Sequence, residues 1–156
     1  MPHLAPHLAT VPGSGIRQIY LLASELDNVV SLGVGEPDVP IAPHIAAAAK
    51  AAWDRDETDY TANAGIPALI GAIVAKLARD NKLQVDTEQV WVTNGATQAL
   101  HQALRLTLAA GDEVLIPDPG YTIFTMAPRM LDARPVPYSL RPENGFLPDL
   151  AELESW

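Results

Sequence analysis

The sequence predicts an α/β chain built around a mostly parallel sheet. Short apolar runs at residues 90–93, 113–117 and 135–140 alternate with stretches of helical spacing, and glycine or proline punctuates the junctions between them. Parallel strands need crossover connections, and helices are the usual ones.

Residues 1–15 hold three prolines and two glycines without a sustained period, so they read as an arm rather than core. Such arms often pack on a partner. Ile16, Ile19, Tyr20, Ala23 and Leu26 then fall at helical spacing and predict a short helix. Residues 29–34 form a β-branched run closed by Gly33, Gly35 and the turn Glu36-Pro37-Asp38. Pro43 suits the first turn of a second helix reaching Trp53. Pro67 does the same for a third, whose apolar face is Leu69, Ile70, Ile73, Val74 and Leu77. Val90-Trp91-Val92-Thr93 is a buried-strand pattern, followed by a tight turn and a helix from Gln98 onward that Gly111 stops. Next come a strand at 113–117, a short helix over 121–130 and an extended piece at 135–140. Asp149 can cap a last helix over 150–154, which has hardly begun when the sequence stops at Trp156.

Composition narrows the function. The 156 residues, 48% apolar and 19% charged, suit one globular domain. A net charge of −9 argues against nucleic acid as partner, because neutralising phosphates needs clustered Lys and Arg. No apolar run approaches the roughly 20 residues needed to span a bilayer, and residues 1–11 lack the basic start and apolar middle of a secretory signal, so no membrane association and a cytoplasmic location are expected. The absence of cysteine excludes disulfides, thiolate metal sites and cysteine nucleophiles. His3, His7, His44 and His101 are not at metal-ligand spacing, so no metal is expected, and the 19 acidic residues include no pair spaced as a glycosidase acid and base.

The stretch Asn94-Gly95-Ala96-Thr97 lies between an expected strand and a helix. A helix N-terminus leaves backbone N–H groups unpaired and carries partial positive charge, small residues let a phosphate approach, and the Thr97 hydroxyl adds a donor. On local pattern alone, Thr97 serves equally as a helix cap and Gly95 as a turn former. The backbone around Gly33 and Gly35 offers an N–H to a ligand carboxylate, or is an ordinary loop. Tyr121 follows Asp118-Pro119-Gly120 at the C-terminal side of a strand, where open α/β sheets place ligands. There its ring can stack on one, or sit half-buried at a loop edge. Tyr60 by itself reads as a surface tyrosine in a loop.

The order and spacing of these pieces resemble the class I/II aminotransferases of pyridoxal-phosphate fold type I, from about Gly15 to Leu150. The likeness rests on five stretches. These are Ser31-Leu32-Gly33-Val34-Gly35-Glu36-Pro37-Asp38, then Tyr60 with Ala64-Gly65-Ile66-Pro67-Ala68-Leu69, then Thr93-Asn94-Gly95-Ala96-Thr97-Gln98-Ala99-Leu100, then Gly111-Asp112-Glu113-Val114, and Pro117-Asp118-Pro119-Gly120-Tyr121. The resemblance implies an N-terminal arm with its glycine turn over 1–40 and, over 41–156, the first part of a mostly parallel-sheet large domain, incomplete. It implies pyridoxal phosphate as cofactor, amino acid and 2-oxo acid substrates, and a homodimer. By the same resemblance Gly35 meets the substrate α-carboxylate, Gly95, Ala96 and Thr97 hold the cofactor phosphate, Tyr121 stacks on the pyridine ring, and Tyr60 reaches the phosphate of a neighbouring subunit.

Several parts of the family pattern have no counterpart here: the asparagine and aspartate that contact the ring, the basic carboxylate clamp, and the lysine that holds the cofactor covalently. Lys50, Lys76 and Lys82, the three lysines, fall in or just after expected helices on polar faces, where a solvated charged amine is expected. The expectation is therefore the N-terminal part of an aminotransferase, truncated and inactive alone. Its rivals are another pyridoxal-phosphate protein of the fold, such as a lyase or a regulator domain, and an inert fragment. A dinucleotide binder is disfavoured, since its fingerprint wants three glycines after the strand and this turn has one. The resemblance also implies a seven-stranded sheet in which the strand at 90–93 lies at one side while 113–117 and 135–140 pair at the other.

Overall fold

The structure, a computed structural model, describes residues 3–33, 35 and 37–154. In chain order its helices are α1 (Gly15–Ala23), α2 (Pro43–Asp54), α3 (Pro67–Lys76), α4 (Gly95–Thr107), α5 (Ile123–Met130) and α6 (Leu150–Glu154), and its strands are β1 (Glu113–Asp118) and β2 (Arg134–Ser139). They fall into two compact units, Met1–Ser31 with Asn94–Trp156, and Leu32–Thr93. Contacts thus group the arm with α4 to α6, a different cut from 1–40 and 41–156, which is a division by place in a longer architecture.

The first unit is organised by β1-α5-β2. The strands pair in parallel from Glu113↔Arg134 to Asp118↔Ser139, the pairing expected for 113–117 with 135–140. Glu113 and Arg134, opposite one another, form an ion pair. Between the strands α5 returns the chain across one face, and Ile116, Ala127, Ala133 and Val136 are buried together with Pro128. Proline inside a helix removes a donor and crowds the preceding turn, and α5 ends two residues later, with the Pro128 carbonyl accepting from Leu131 N–H at 2.9 Å and Ala133 N–H at 3.0 Å.

Backbone donors distinguish the two sides of β2. Arg134 N–H donates to Asp112 O and Leu140 N–H to Asp118 O, both at 2.7 Å, so the even-numbered amides face β1. At the alternating positions on the outer side, Pro135 and Pro137 carry no N–H, and the Ser139 N–H donates to Glu152 Oε1 at 3.2 Å. That edge is poor at pairing with a further strand, as proline-bearing edges are. Asp149 caps α6 as expected, its Oδ1 accepting from Ala151 N–H at 3.0 Å and Glu152 N–H at 3.4 Å.

The arm is not structureless. Pro6–Thr10 forms a 3-10 turn that packs on α5, and Arg129 Nη1 donates to Thr10 O at 2.9 Å. Helix α1 stops at Ala23 rather than Leu26, because the chain turns after Ser24, whose hydroxyl donates to Leu21 O at 2.7 Å. Residues 29–33 form no strand, Val29 and Val30 being exposed, and Val34 lies outside the described residues. Helix α4 starts at Gly95, three residues before the expected Gln98, and ends at Thr107. There the Thr107 hydroxyl bonds back to Ala103 O at 2.9 Å, and Leu108 turns extended. Gly111, at φ 87°, serves the following turn instead of the helix end. Helix α5 likewise begins at Ile123 rather than at 121.

In the second unit α2 and α3 start at Pro43 and Pro67, as expected of prolines in first turns. Past Lys76 the third helix widens into a π-helical turn, Leu77–Asn81, closed by Lys82 in the left-handed region at φ 58°. Residues 90–93 are extended but not a strand. Val92 N–H donates to Ala64 O at 2.9 Å, and among the described residues the sheet has only β1 and β2. The physical reason is that a strand is a paired state, and one isolated hydrogen bond is not a ladder. Gly65 is required here. At φ 112°, a Cβ would lie 2.7 Å from Val92 Cγ2. Gly65→Ala is expected to destabilise the protein by roughly 1–2 kcal/mol in chemical denaturation, through backbone strain and this clash. An unchanged midpoint would show that the turn relaxes freely.

Candidate functional site

The turn into α4 is built by one glycine and one glutamine. Gly95 takes φ 78°, a left-handed conformation that side chains rarely adopt, and a Cβ there would meet no atom within 4 Å. The glycine therefore answers a backbone need and not a packing one. Asn94 stands at the N-cap position but makes no capping bond with its side chain. Its own N–H donates to Gln98 Oε1 at 2.5 Å. Ala96 and Thr97 follow at the second and third helical positions, exposed, where no carbonyl of the preceding turn is available to their N–H groups. Chemically the arrangement can accept an anion: small residues, first-turn amides, a hydroxyl at Thr97 and the positive end of a 13-residue helix.

Tyr121 belongs to the same unit, in the segment between β1 and α5, and α5 packs on α4. Its ring meets Phe124 edge to face, with centroids 6.0 Å apart and planes at 89°, and the residue is 56% exposed. An open cavity of about 280 Å³ adjoins it, lined by Asp118, Thr122, Thr125 and Arg129 among others; none of Gly95, Ala96 and Thr97 lines it. The remaining expected residues belong to the second unit. Tyr60 is fully exposed, and Gly35 is exposed with nothing within 4 Å of where a Cβ would be, while Val34 and Glu36 beside it lie outside the described residues.

The three lysine amines are engaged locally. Lys50 Nζ pairs with Asp54 Oδ2 at 3.0 Å, Lys76 Nζ donates to Asn81 Oδ1 at 2.5 Å, and Lys82 Nζ donates to Arg79 O at 2.8 Å. Nearby on the surface, the hydrogen bond between Arg55 Nε and Glu57 Oε1, 2.7 Å, holds the Glu57 carboxyl below its ordinary range and the guanidinium above its own. Both groups are fully exposed, so the pair is a solvated surface contact. Among the described residues no group of three or more His, Asp or Glu could hold a metal ion, and no helix is long and apolar enough to cross a membrane.

Residues 27–155 match the family model for aminotransferase class I and II. The chain belongs to this family. It is 39% identical to the aspartate aminotransferase of Pyrococcus horikoshii over 96% of its own length and 38% of the relative's. It is 34% identical to aromatic-amino-acid aminotransferase 2 of Thermococcus litoralis, covering 98% of this chain and 40% of that one. Among solved structures, the aspartate aminotransferase of Rhizobium meliloti superposes with a TM-score of 0.92 at 33% identity, covering 99% of this chain and 40% of that one. The Thermus thermophilus aspartate aminotransferase with maleate gives 0.93 at 31% identity, covering 99% and 42%. The chain therefore has the fold of the N-terminal part of these aminotransferases, the fold type I architecture, and spans about 40% of their length.

The missed residue is Gln98. It stands inside the motif but four residues after the cap, one past the position where a capping-box glutamine is sought, so that signature does not mark it.

Proposed function

We propose that the protein is an aminotransferase that moves an amino group between an amino acid and a 2-oxo acid with pyridoxal phosphate, this chain supplying the N-terminal arm and the start of the cofactor-binding large domain. The turn of Gly95, Ala96 and Thr97 into α4 carries the reading. Its first-turn amides and the Thr97 hydroxyl suit a phosphate, and Tyr121, on a helix-linked segment of the same unit, suits a pyridine ring. These residues fit the cofactor's two ends, and family membership favours the same group.

In this proposal the Ala96 and Thr97 amides, with the Thr97 hydroxyl, bind the phosphate and fix the cofactor's position, and Tyr121 covers one face of the ring. When bound, the cofactor supplies an electron sink for the bond broken at the substrate α-carbon. The Gly35 backbone N–H orients the substrate through its carboxylate. The three lysines, bound to neighbours on their own helices and turns, favour the further proposal that the 156-residue chain does not turn over alone.

The deciding experiment is an assay of the complete protein with 2-oxoglutarate and a panel of amino donors, beginning with aspartate, for which several relatives are named. Glutamate formation supports the reading. Donor consumption without glutamate would mark a lyase, and cofactor binding without turnover a regulator domain.

We place this enzyme in the cytoplasm as a homodimer in which Tyr60, fully exposed on its own chain, contacts the partner's phosphate. Mixing a Tyr60→Phe subunit with a subunit disabled separately is expected to change activity across the subunit boundary. Activities that simply average would put Tyr60 outside the partner's site.

A further inference from the structure

We propose that Gln98 is a positioning residue of the phosphate-binding turn: by taking the Asn94 N–H it fixes the turn without consuming the amides that a phosphate needs. The proposal rests on the reading that Ala96 and Thr97 hold the cofactor phosphate.

A helix start leaves four backbone donors without intrahelical acceptors, and a cap residue normally satisfies one or two of them. The chain shows both ways of doing so. At Asp86 the capping box is complete: the Asp86 side chain accepts from the backbone of Gln89, while Gln89 Oε1 accepts from Asp86 N–H at 2.9 Å. That short turn spends its donors on itself. At Asn94 the forward bond is missing, and the return comes from a glutamine four residues on instead of three. Gln98 Oε1 accepts from Asn94 N–H at 2.5 Å, but the Asn94 side chain caps nothing. The difference matters because Gly95, in the left-handed region at φ 78°, separates the cap from the first-turn amides. The glutamine ties the cap to the helix across that glycine, and the withheld Asn94 side chain leaves the second and third amides uncovered by a cap.

The glutamine is itself exposed, so its effect is that of one surface hydrogen bond acting on geometry. Gln98→Met keeps the length of the side chain and removes the acceptor. In the complete enzyme stripped of cofactor, this variant is expected to raise the Kd of pyridoxal phosphate and of inorganic phosphate roughly three- to tenfold. The Kd of pyridoxal, which lacks the phosphate, is expected to stay at the unmodified enzyme's value. Thr97→Val serves as the control. If Gln98→Met leaves both phosphate ligands unchanged while Thr97→Val loosens them, the positioning role is overturned and the phosphate site stands. If pyridoxal and pyridoxal phosphate weaken together in Gln98→Met, the residue is merely structural and the proposal is overturned. If neither variant loosens either phosphate ligand, the site assignment falls and the proposal with it.

Discussion

Thr97→Val is expected to weaken cofactor retention in the complete enzyme by about 1–3 kcal/mol, or about five- to 150-fold in Kd. Valine preserves the branched shape at the third position of α4 and removes only the hydroxyl, so helix propensity changes little. The loss arises from a phosphate oxygen left without one partner in a site whose other donors are backbone amides. Absorbance titration with pyridoxal phosphate measures it, and a crystal of the phosphate-bound protein should show the anion on Ala96 and Thr97. An unchanged affinity, or an anion bound elsewhere with the turn filled by protein groups, removes the assignment.

Gly120→Ala is expected to be the more damaging change to the fold near the site. A Cβ at Gly120 would collide with the Pro117 carbonyl oxygen and lie 3.2 Å from Pro117 Cγ. The carbonyl is backbone of β1 and not a flexible side-chain tip, so the segment carrying Tyr121 must shift instead. A cost toward the upper end of roughly 1–3 kcal/mol is expected in thermal or chemical unfolding of the complete protein, together with weaker binding of pyridoxal. Wild-type stability in this variant would mean that the approach of Gly120 to Pro117 is not required.

Features that depend on a few adjacent residues were legible in the sequence. Pro43 and Pro67 start helices because a fixed φ and a missing donor suit a first turn, and Asp149 caps α6 because its carboxylate reaches amides two and three residues on. Features that depend on a distant partner were not. The apolar pattern at 90–93 marks a half-buried segment, Val92 among it, but only a ladder makes a strand, and alternation does not name the neighbour. The π-helical turn at Leu77–Asn81 escaped for another reason, since side-chain spacing does not report which carbonyl each amide chooses. At the candidate site, the reading of Asn94-Gly95-Ala96-Thr97 as an anion seat came from local chemistry, whereas the roles proposed for Tyr60 and Gly35 came through family resemblance alone. Gln98 was overlooked because it was read as the start of the helix when it lies in the helix's first turn.

The bond from Arg129 to Thr10 joins groups 119 residues apart in sequence. On a ribosome adding roughly 5–20 residues per second, the arm emerges on the order of ten seconds before the helix it rests on. Ile19, Leu21 and Leu22 of α1 remain largely exposed even in the finished unit. The β1-α5-β2 stretch is different, because its paired residues Glu113 and Arg134 are close in sequence and can meet almost as soon as both are made. The segment around Thr10 is therefore made well before the helix that anchors it, whereas β1 and β2 find each other almost at once.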